Sequence, residues 1–176
     1  MGLTHLYLVG MPGSGKTTLG LALAARYGLP FRDLDEEIVR REGRSIVELF
    51  AQEGEAYFRQ AEAATLRAVV AEHPQLLLAT GGGTPCFHQN ADFLNENGLT
   101  LWLDVPVDEL VRRLLQQAAH RPLLAQLPDE AALKSRLTET LAARREFYAT
   151  AKLCCQADRC TPEAVFALVQ HYVTTA

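Results

Sequence analysis

Apolar residues in this chain come in short unbroken runs separated by longer stretches of helical spacing. Leu6 to Val9, Leu76 to Ala79 and Leu99 to Leu103 are nearly continuous apolar runs. Such runs suit strands of a parallel sheet covered on both faces, whereas a strand with one wet face alternates. Phe31-Arg32 and Lys152 to Gln156 add two shorter strands, and Cys154 and Cys155 are expected to belong to a buried strand. Helical segments fill the intervals. Thr18 to Arg26 stops at Tyr27-Gly28-Leu29-Pro30, and Glu36 to Arg41 stops at Gly43. Ser45 with Glu48 three residues later has capping-box spacing. Ile46, Leu49 and Phe50 share one face of the helix that follows, until Gly54 breaks it. A longer helix opens at Glu55, with Phe58, Leu66 and Val69 as core. Phe87 to Asn97 closes on Gly98, Pro106 opens Val107 to Gln117, Asp129 to Ala149 forms a long helix, and Thr161-Pro162-Glu163 starts the last one. Strands alternating with helices predict an α/β fold: a three-layer α/β/α sandwich around a central parallel sheet of about five strands.

One loop in this pattern carries chemistry. Gly10-Met11-Pro12-Gly13-Ser14-Gly15-Lys16-Thr17 matches G-x-x-x-x-G-K-[ST] at every required position, between a buried strand and a helix. That context turns successive backbone N–H groups and a helix N-terminus toward one point, a cradle for phosphate. Gly13, Ser14, Gly15, Lys16, Thr17 and Thr18 are the expected ATP-binding residues. Lys16 reaches the β- and γ-phosphates, and the Thr17 hydroxyl serves Mg²⁺. One strand later, Asp33-Leu34-Asp35 sets two carboxylates at a strand end, suited to metal or hydroxyl contacts. Either one equally suits the N-cap of the next helix. Arg59 and Glu62, at i and i+3, can pair. Gly81-Gly82-Gly83 strips side chains from the exit of a central strand, so its backbone can touch a ligand directly. Trp102 is read as core and Asp104 as turn chemistry. His120 to Pro128, bracketed by prolines, reads as a closing segment, and Arg121 on it is the candidate to meet charge on a transferred phosphoryl group.

Composition narrows the field further. The chain has 176 residues, 48% hydrophobic and 22% charged, with a net charge of −4. That argues for one globular domain and against a nucleic-acid or anionic-membrane partner. The N-terminus shows no basic-then-apolar leader, and no apolar run approaches membrane-spanning length. Cys86, Cys154, Cys155 and Cys160 form no C-x-x-C pair and are expected as free thiols. A cytoplasmic monomer is the expectation.

Taken in order, these motifs resemble the shikimate kinase family over nearly the whole chain, from about Leu6 to the C-terminal helix. The resemblance rests on the phosphate loop, Asp33-Leu34-Asp35, the segment Glu55 to Glu62, Gly81-Gly82-Gly83, Arg121-Pro122-Leu123-Leu124, and Arg144 four residues before Tyr148. It implies a phosphate-loop NTPase fold of the nucleoside monophosphate kinase type. The expected layout is one domain, 1–176, with a substrate-binding helical segment at about 33–62 and a lid at about 116–128. It implies ATP-dependent, Mg²⁺-assisted phosphorylation of the shikimate 3-hydroxyl, with shikimate and ATP as partners, on the route to chorismate and aromatic amino acids. By the same resemblance Lys16, Asp35 and Arg121 are catalytic, with Arg121 also an ATP ligand. Asp33 and Thr17 serve the metal, and Asp35, Arg59, Gly81, Gly82 and Arg144 bind the acid. Arg113 and Pro162 stand where the family sandwiches adenine, and Ile46, Phe50 and Phe58 wall the substrate pocket. Arg145 adjoins Arg144, so the sequence leaves the choice between them open. A kinase of gluconate or another small hydroxy acid, and a non-catalytic ATP-binding regulator, are the competing readings.

Overall fold

In the computed structural model, residues 3–119, 129–156 and 160–175 are described. Five strands, β1 (His5–Val9), β2 (Phe31–Asp33), β3 (Leu76–Ala79), β4 (Leu99–Asp104) and β5 (Leu153–Gln156), pair in parallel in the order β2-β3-β1-β4-β5. Leu8 of β1 lies in register with Ala79 of β3 and Leu101 of β4.

Because successive side chains of a strand point to opposite faces, the apolar runs feed two cores. Tyr7 and Val9 of β1, Leu76 and Leu78 of β3, and Trp102 of β4 face one layer. There they meet α2 (Leu34–Glu42), α3 (Ile46–Glu72), α4 (Asn90–Asn97), α5 (Val107–Ala119) and α6 (Glu130–Tyr148). Leu6, Leu8, Leu77, Leu101 and Leu103 face the other, against α1 (Lys16–Tyr27) and α7 (Pro162–Thr175). Each such leucine, fully buried, contributes about 1.5–3 kcal/mol. The expected three-layer α/β/α arrangement is present.

Local signals hold at most boundaries. The Ser45 hydroxyl accepts from Glu48 N at 3.2 Å, and Glu48 Oε2 accepts from Ser45 N at 2.8 Å. Gly54 interrupts α3 with φ 81° and ψ 176°. Other expectations need correction. The helix expected from Phe87 starts at Asn90, after a 3-10 turn at Thr84–Cys86 and left-handed backbone at His88 and Gln89. Arg67 holds that turn, donating to His88 O and Asn90 Oδ1. Gly98 does end α4, but in extended backbone, and a Cβ there would lie 2.6 Å from the Tyr7 ring. β5 is an edge strand, so Cys155 is buried while Cys154 is exposed. Phe50, expected with Phe58 to wall the substrate pocket, is 39% exposed and lies against the Phe58 ring at 4.6 Å.

The strand order decides where a ligand fits. β1 connects to β2 on one side, and β3 connects to β4 on the other, so the winding reverses between β1 and β3. In open α/β sheets the crevice lies there, outside the carboxyl ends of the strands. The loop after β1, the end of β2 and the glycines after β3 all open onto it.

Candidate active site

The loop from Gly10 to Gly15 leaves β1 and enters α1. Gly15 caps α1 at φ 95°, a left-handed conformation costly for any side chain. A Cβ on Gly10 would lie 2.8 Å from Leu103 O, so only glycine lets the loop cross β4 so closely. Ser14 is buried, and its Oγ has no hydrogen-bond partner among the described residues. An unpaired buried hydroxyl is costly unless a ligand completes it. Lys16 Nζ donates to Gly10 O at 2.9 Å and Met11 O at 3.0 Å. Burial lowers its pKa to about 8; Asp35 and Asp33 oppose that shift, and Arg144 adds to it. An anion placed among these charges relieves the buried ammonium.

Of the two roles that the sequence left open, Asp33 takes the N-cap. Its Oδ1 accepts from Asp35 N at 3.0 Å, capping α2, and its Oδ2 accepts from the Thr17 hydroxyl at 3.0 Å. β2 ends at Asp33, so Asp35 reaches the crevice from the first turn of α2 and not from the strand. Solvent reaches Asp35 at the mouth, yet its carboxyl sits low enough that desolvation, with Asp33 and Glu62 nearby, pushes its pKa up to about 6. Lys16 and Arg59 pull the other way. Perturbed acids and bases converging in one cleft mark a functional site.

The three glycines after β3 bring the remaining residues together. A Cβ on Gly81 would meet Asp35 Oδ1 at 3.0 Å, one on Gly82 would meet Arg144 Nη1 at 3.1 Å, and one on Gly83 would meet Arg59 Nη1 at 2.8 Å. Two guanidinium groups thus reach one glycine run from α3 and α6. Arg59 donates Nε–H and one Nη2–H to Glu55 Oε1 at 3.2 and 3.1 Å, and one Nη1–H to Glu62 Oε2 at 2.9 Å. A guanidinium has five N–H bonds, so among the described residues one on each terminal nitrogen is left for a further acceptor. Its planar face lies 4.2 Å from the Phe87 ring centroid. Arg144 has no carboxylate partner among the described residues, while Arg145 turns away to Asp104 at 3.7 Å and lies over Trp102. Tyr148, one helical turn beyond Arg144, donates its hydroxyl to Gly82 O and fixes the middle of the run. Burial holds its pKa at about 12, so it stays a donor.

On the other side of the phosphate loop lies a cleft of about 390 Å³. Gly13, Ser14, Gly15 and Thr18 line it on one side, and Arg113, Cys160 and Pro162 on another. Arg113 is anchored there by Ser14 O at 3.0 Å and Glu109 at 2.6 Å. The two residues expected to flank adenine therefore border one cleft. Arg121 lies outside the described residues, as does most of the expected lid. Sequence reasoning missed Tyr148 as the clamp on Gly82 and gave no meaning to Thr84. That residue turns out to donate to the buried Glu62 at 2.6 Å. Nothing local marks a hydroxyl 22 positions from its partner.

A sheet wound in this order, with an anion-binding loop after its central strand and cations reaching the same crevice from two helices, places the chain among the phosphate-loop kinases. Comparison with known proteins narrows this. The family model for shikimate kinase matches residues 12–174. A shikimate kinase of Phocaeicola vulgatus is 42% identical over 156 residues, covering 89% of this chain and 88% of its own. The crystal structure of shikimate kinase from Bacteroides thetaiotaomicron superposes with a TM-score of 0.86 at 34% identity, covering 98% of this chain and 99% of that one. Shikimate kinase from Acinetobacter baumannii, solved in complex with shikimate, gives 0.82 at 33% identity, with 97% and 94% covered. The chain belongs to the shikimate kinase family. A gluconokinase from Sinorhizobium meliloti shares the fold alone, at 16% identity and a TM-score of 0.56. Among the described residues, no helix is long and apolar enough to cross a membrane.

Proposed function

We propose that this chain transfers the γ-phosphoryl group of ATP to the 3-hydroxyl of shikimate, with Arg59 and Arg144 gripping the acid. The observation that carries this reading is the meeting of both guanidinium groups on Gly82 and Gly83, beside Asp35. Bidentate recognition by arginine fixes direction as well as charge, so the ring hydroxyl is aimed as the carboxylate is held. Positioning of this kind supplies much of the catalysis in phosphoryl transfer.

In the proposed reaction the hydroxyl oxygen forms a bond to the γ-phosphorus. Its proton passes to Asp35, the bond from the γ-phosphorus to the β,γ-bridging oxygen breaks, and ADP leaves. Asp35, with a pKa near 6, is ionised at neutral pH yet basic enough to accept that proton. Lys16 and the loop N–H groups balance charge on the phosphates. Ser14 Oγ, buried without a partner among the described residues, fits a phosphate oxygen.

Thr17 and Asp33 fit Mg²⁺. Both offer oxygen, and Mg²⁺ takes one or two protein groups alongside phosphate oxygens and water, so no larger cluster is required. Among the described residues no three His, Cys, Asp or Glu side chains converge on a point. Bound there, Mg²⁺ would neutralise charge on the β- and γ-phosphates.

The test is ADP release coupled to a chromogenic readout, with shikimate and gluconate as acceptors. Turnover on shikimate and none on gluconate is expected. The reverse pattern would reject the substrate, and ATP binding with no acceptor-dependent ADP would make the chain a nucleotide-binding regulator.

A further inference from the structure

We propose that Thr84 is a positioning residue for the acid-binding pocket: its hydroxyl fixes the Glu62 carboxylate, and Glu62 in turn fixes Arg59. The inference rests on the reading of Arg59 as a ligand of the acid substrate.

Glu62 is 1% exposed and lies between Arg59 and Thr84. Its two oxygens have different partners. Oε2 accepts from Arg59 Nη1 at 2.9 Å, and Oε1 accepts from Thr84 Oγ1 at 2.6 Å. No other donor reaches Oε1 among the described residues. A buried carboxylate oxygen left without a donor is strongly unfavourable, and the group then reorients or takes up a proton. Either response alters its grip on Arg59.

Thr84 can act as a fixed point because it is held from elsewhere. It is fully buried, and its carbonyl accepts from Asn90 Nδ2 at 3.0 Å. Asn90 is itself buried, and its Oδ1 accepts from Arg67 Nη1 at 2.8 Å. The Thr84 N–H closes the turn onto Gly81 O at 3.2 Å. Polar groups therefore run from Arg67 through Asn90, Thr84 and Glu62 to Arg59, linking the start of α4 to the substrate side of α3. The chemistry of the donor also counts. A hydroxyl satisfies Oε1 without adding charge, so the negative charge of Glu62 stays directed at Arg59. The other carboxylate on Arg59, Glu55, is 59% exposed and a weaker anchor for the same group.

An arginine that holds the carboxylate equally in ground and transition states sets KM more than kcat. Thr84→Val keeps the shape of the side chain and removes the donor. It is expected to raise KM for shikimate about tenfold, lower kcat less than threefold and leave KM for ATP unchanged, by the size of an orphaned buried acceptor. Thr84→Ser keeps the donor and is expected to return KM to within about twofold of the parent. Thr84→Ala serves the same purpose should the valine variant not fold, and is expected to match the valine result. Parent-like shikimate KM in Thr84→Val or Thr84→Ala overturns the inference. So does a serine variant as impaired as valine, which would assign the residue to methyl packing. If the parent protein releases no ADP in response to shikimate, the functional reading fails first and takes this inference with it. Shikimate turnover in the parent with unchanged KM in the variants removes Thr84 alone.

Discussion

The Thr17 hydroxyl donates to Asp33 Oδ2 at 3.0 Å, joining the first turn of α1 to the end of β2. The other oxygen of Asp33 caps α2. One carboxylate thus has a structural duty beside its proposed duty toward Mg²⁺, and a conservative change separates them. Asparagine caps a helix about as well as aspartate. Asp33→Asn is expected to leave Tm within about 2 °C of the parent, since the cap term changes by only a few tenths of a kcal/mol. It is expected to raise the Mg²⁺ concentration for half-maximal ADP release by about tenfold or more, the loss of one charged oxygen ligand. A thermal melt and a Mg²⁺ titration check the two halves.

Asp35 gives a pH signature with a definite sign. Its carboxyl, raised from 3.8 to about 6, must lose its proton before it can accept one from substrate. The value of kcat/KM for shikimate should therefore rise through about pH 6. Asp35→Asn should remove that limb and lower kcat by about a hundredfold or more, the usual worth of a general base. Folding responds in the opposite sense. The folded pKa lies above the unfolded one, so Asp35 weakens the fold increasingly as pH climbs from about 4 to about 6, and by a constant amount above that. Asp35→Asn should then have a higher Tm than the parent at pH 8 and no advantage near pH 3.5. Melts at the two pH values decide the point.

Lys16 titrates on the other flank. Burial lowers its pKa to about 8, so the free protein loses this cation as pH rises through 8. ATP affinity, measured by fluorescence titration between pH 7 and 9.5, should weaken across that range. In Lys16→Ala the dependence should flatten, and kcat should fall about a hundredfold or more, the scale of one lost preorganised donor.

Much of this was legible where the chemistry is local in the chain. The phosphate loop is eight consecutive residues, and the capping box of α3 spans four. Arg59 and Glu62 pair one helical turn apart, so spacing alone predicts their contact. The sequence could not choose between Arg144 and Arg145, because adjacent helical positions point about 100° apart. Which of them faces the crevice depends on how α6 seats on the sheet. In the structure Arg145 lies toward Asp104 and Arg144 toward Gly82. The hydrogen bonds of Thr84 to Glu62 and of Tyr148 to Gly82 were equally invisible. Each joins distant segments whose meeting is set by the strand order β2-β3-β1-β4-β5, which no local pattern encodes.

Arg144 offers the cleanest view of the proposed acid-binding pocket, because among the described residues no carboxylate depends on it, and Tyr148, whose hydroxyl it meets, keeps Gly82 O as a partner when it is removed. The deciding measurement is a calorimetric titration of shikimate into the parent protein and into Arg144→Ala, with an ATP titration of each alongside. Two guanidinium groups sharing one carboxylate predict a loss of at least about tenfold in shikimate affinity in the variant, the scale of one charge-assisted pair, and ATP affinity within about twofold of the parent. Equal shikimate affinity in the two proteins would contradict a pocket built on Arg59 and Arg144.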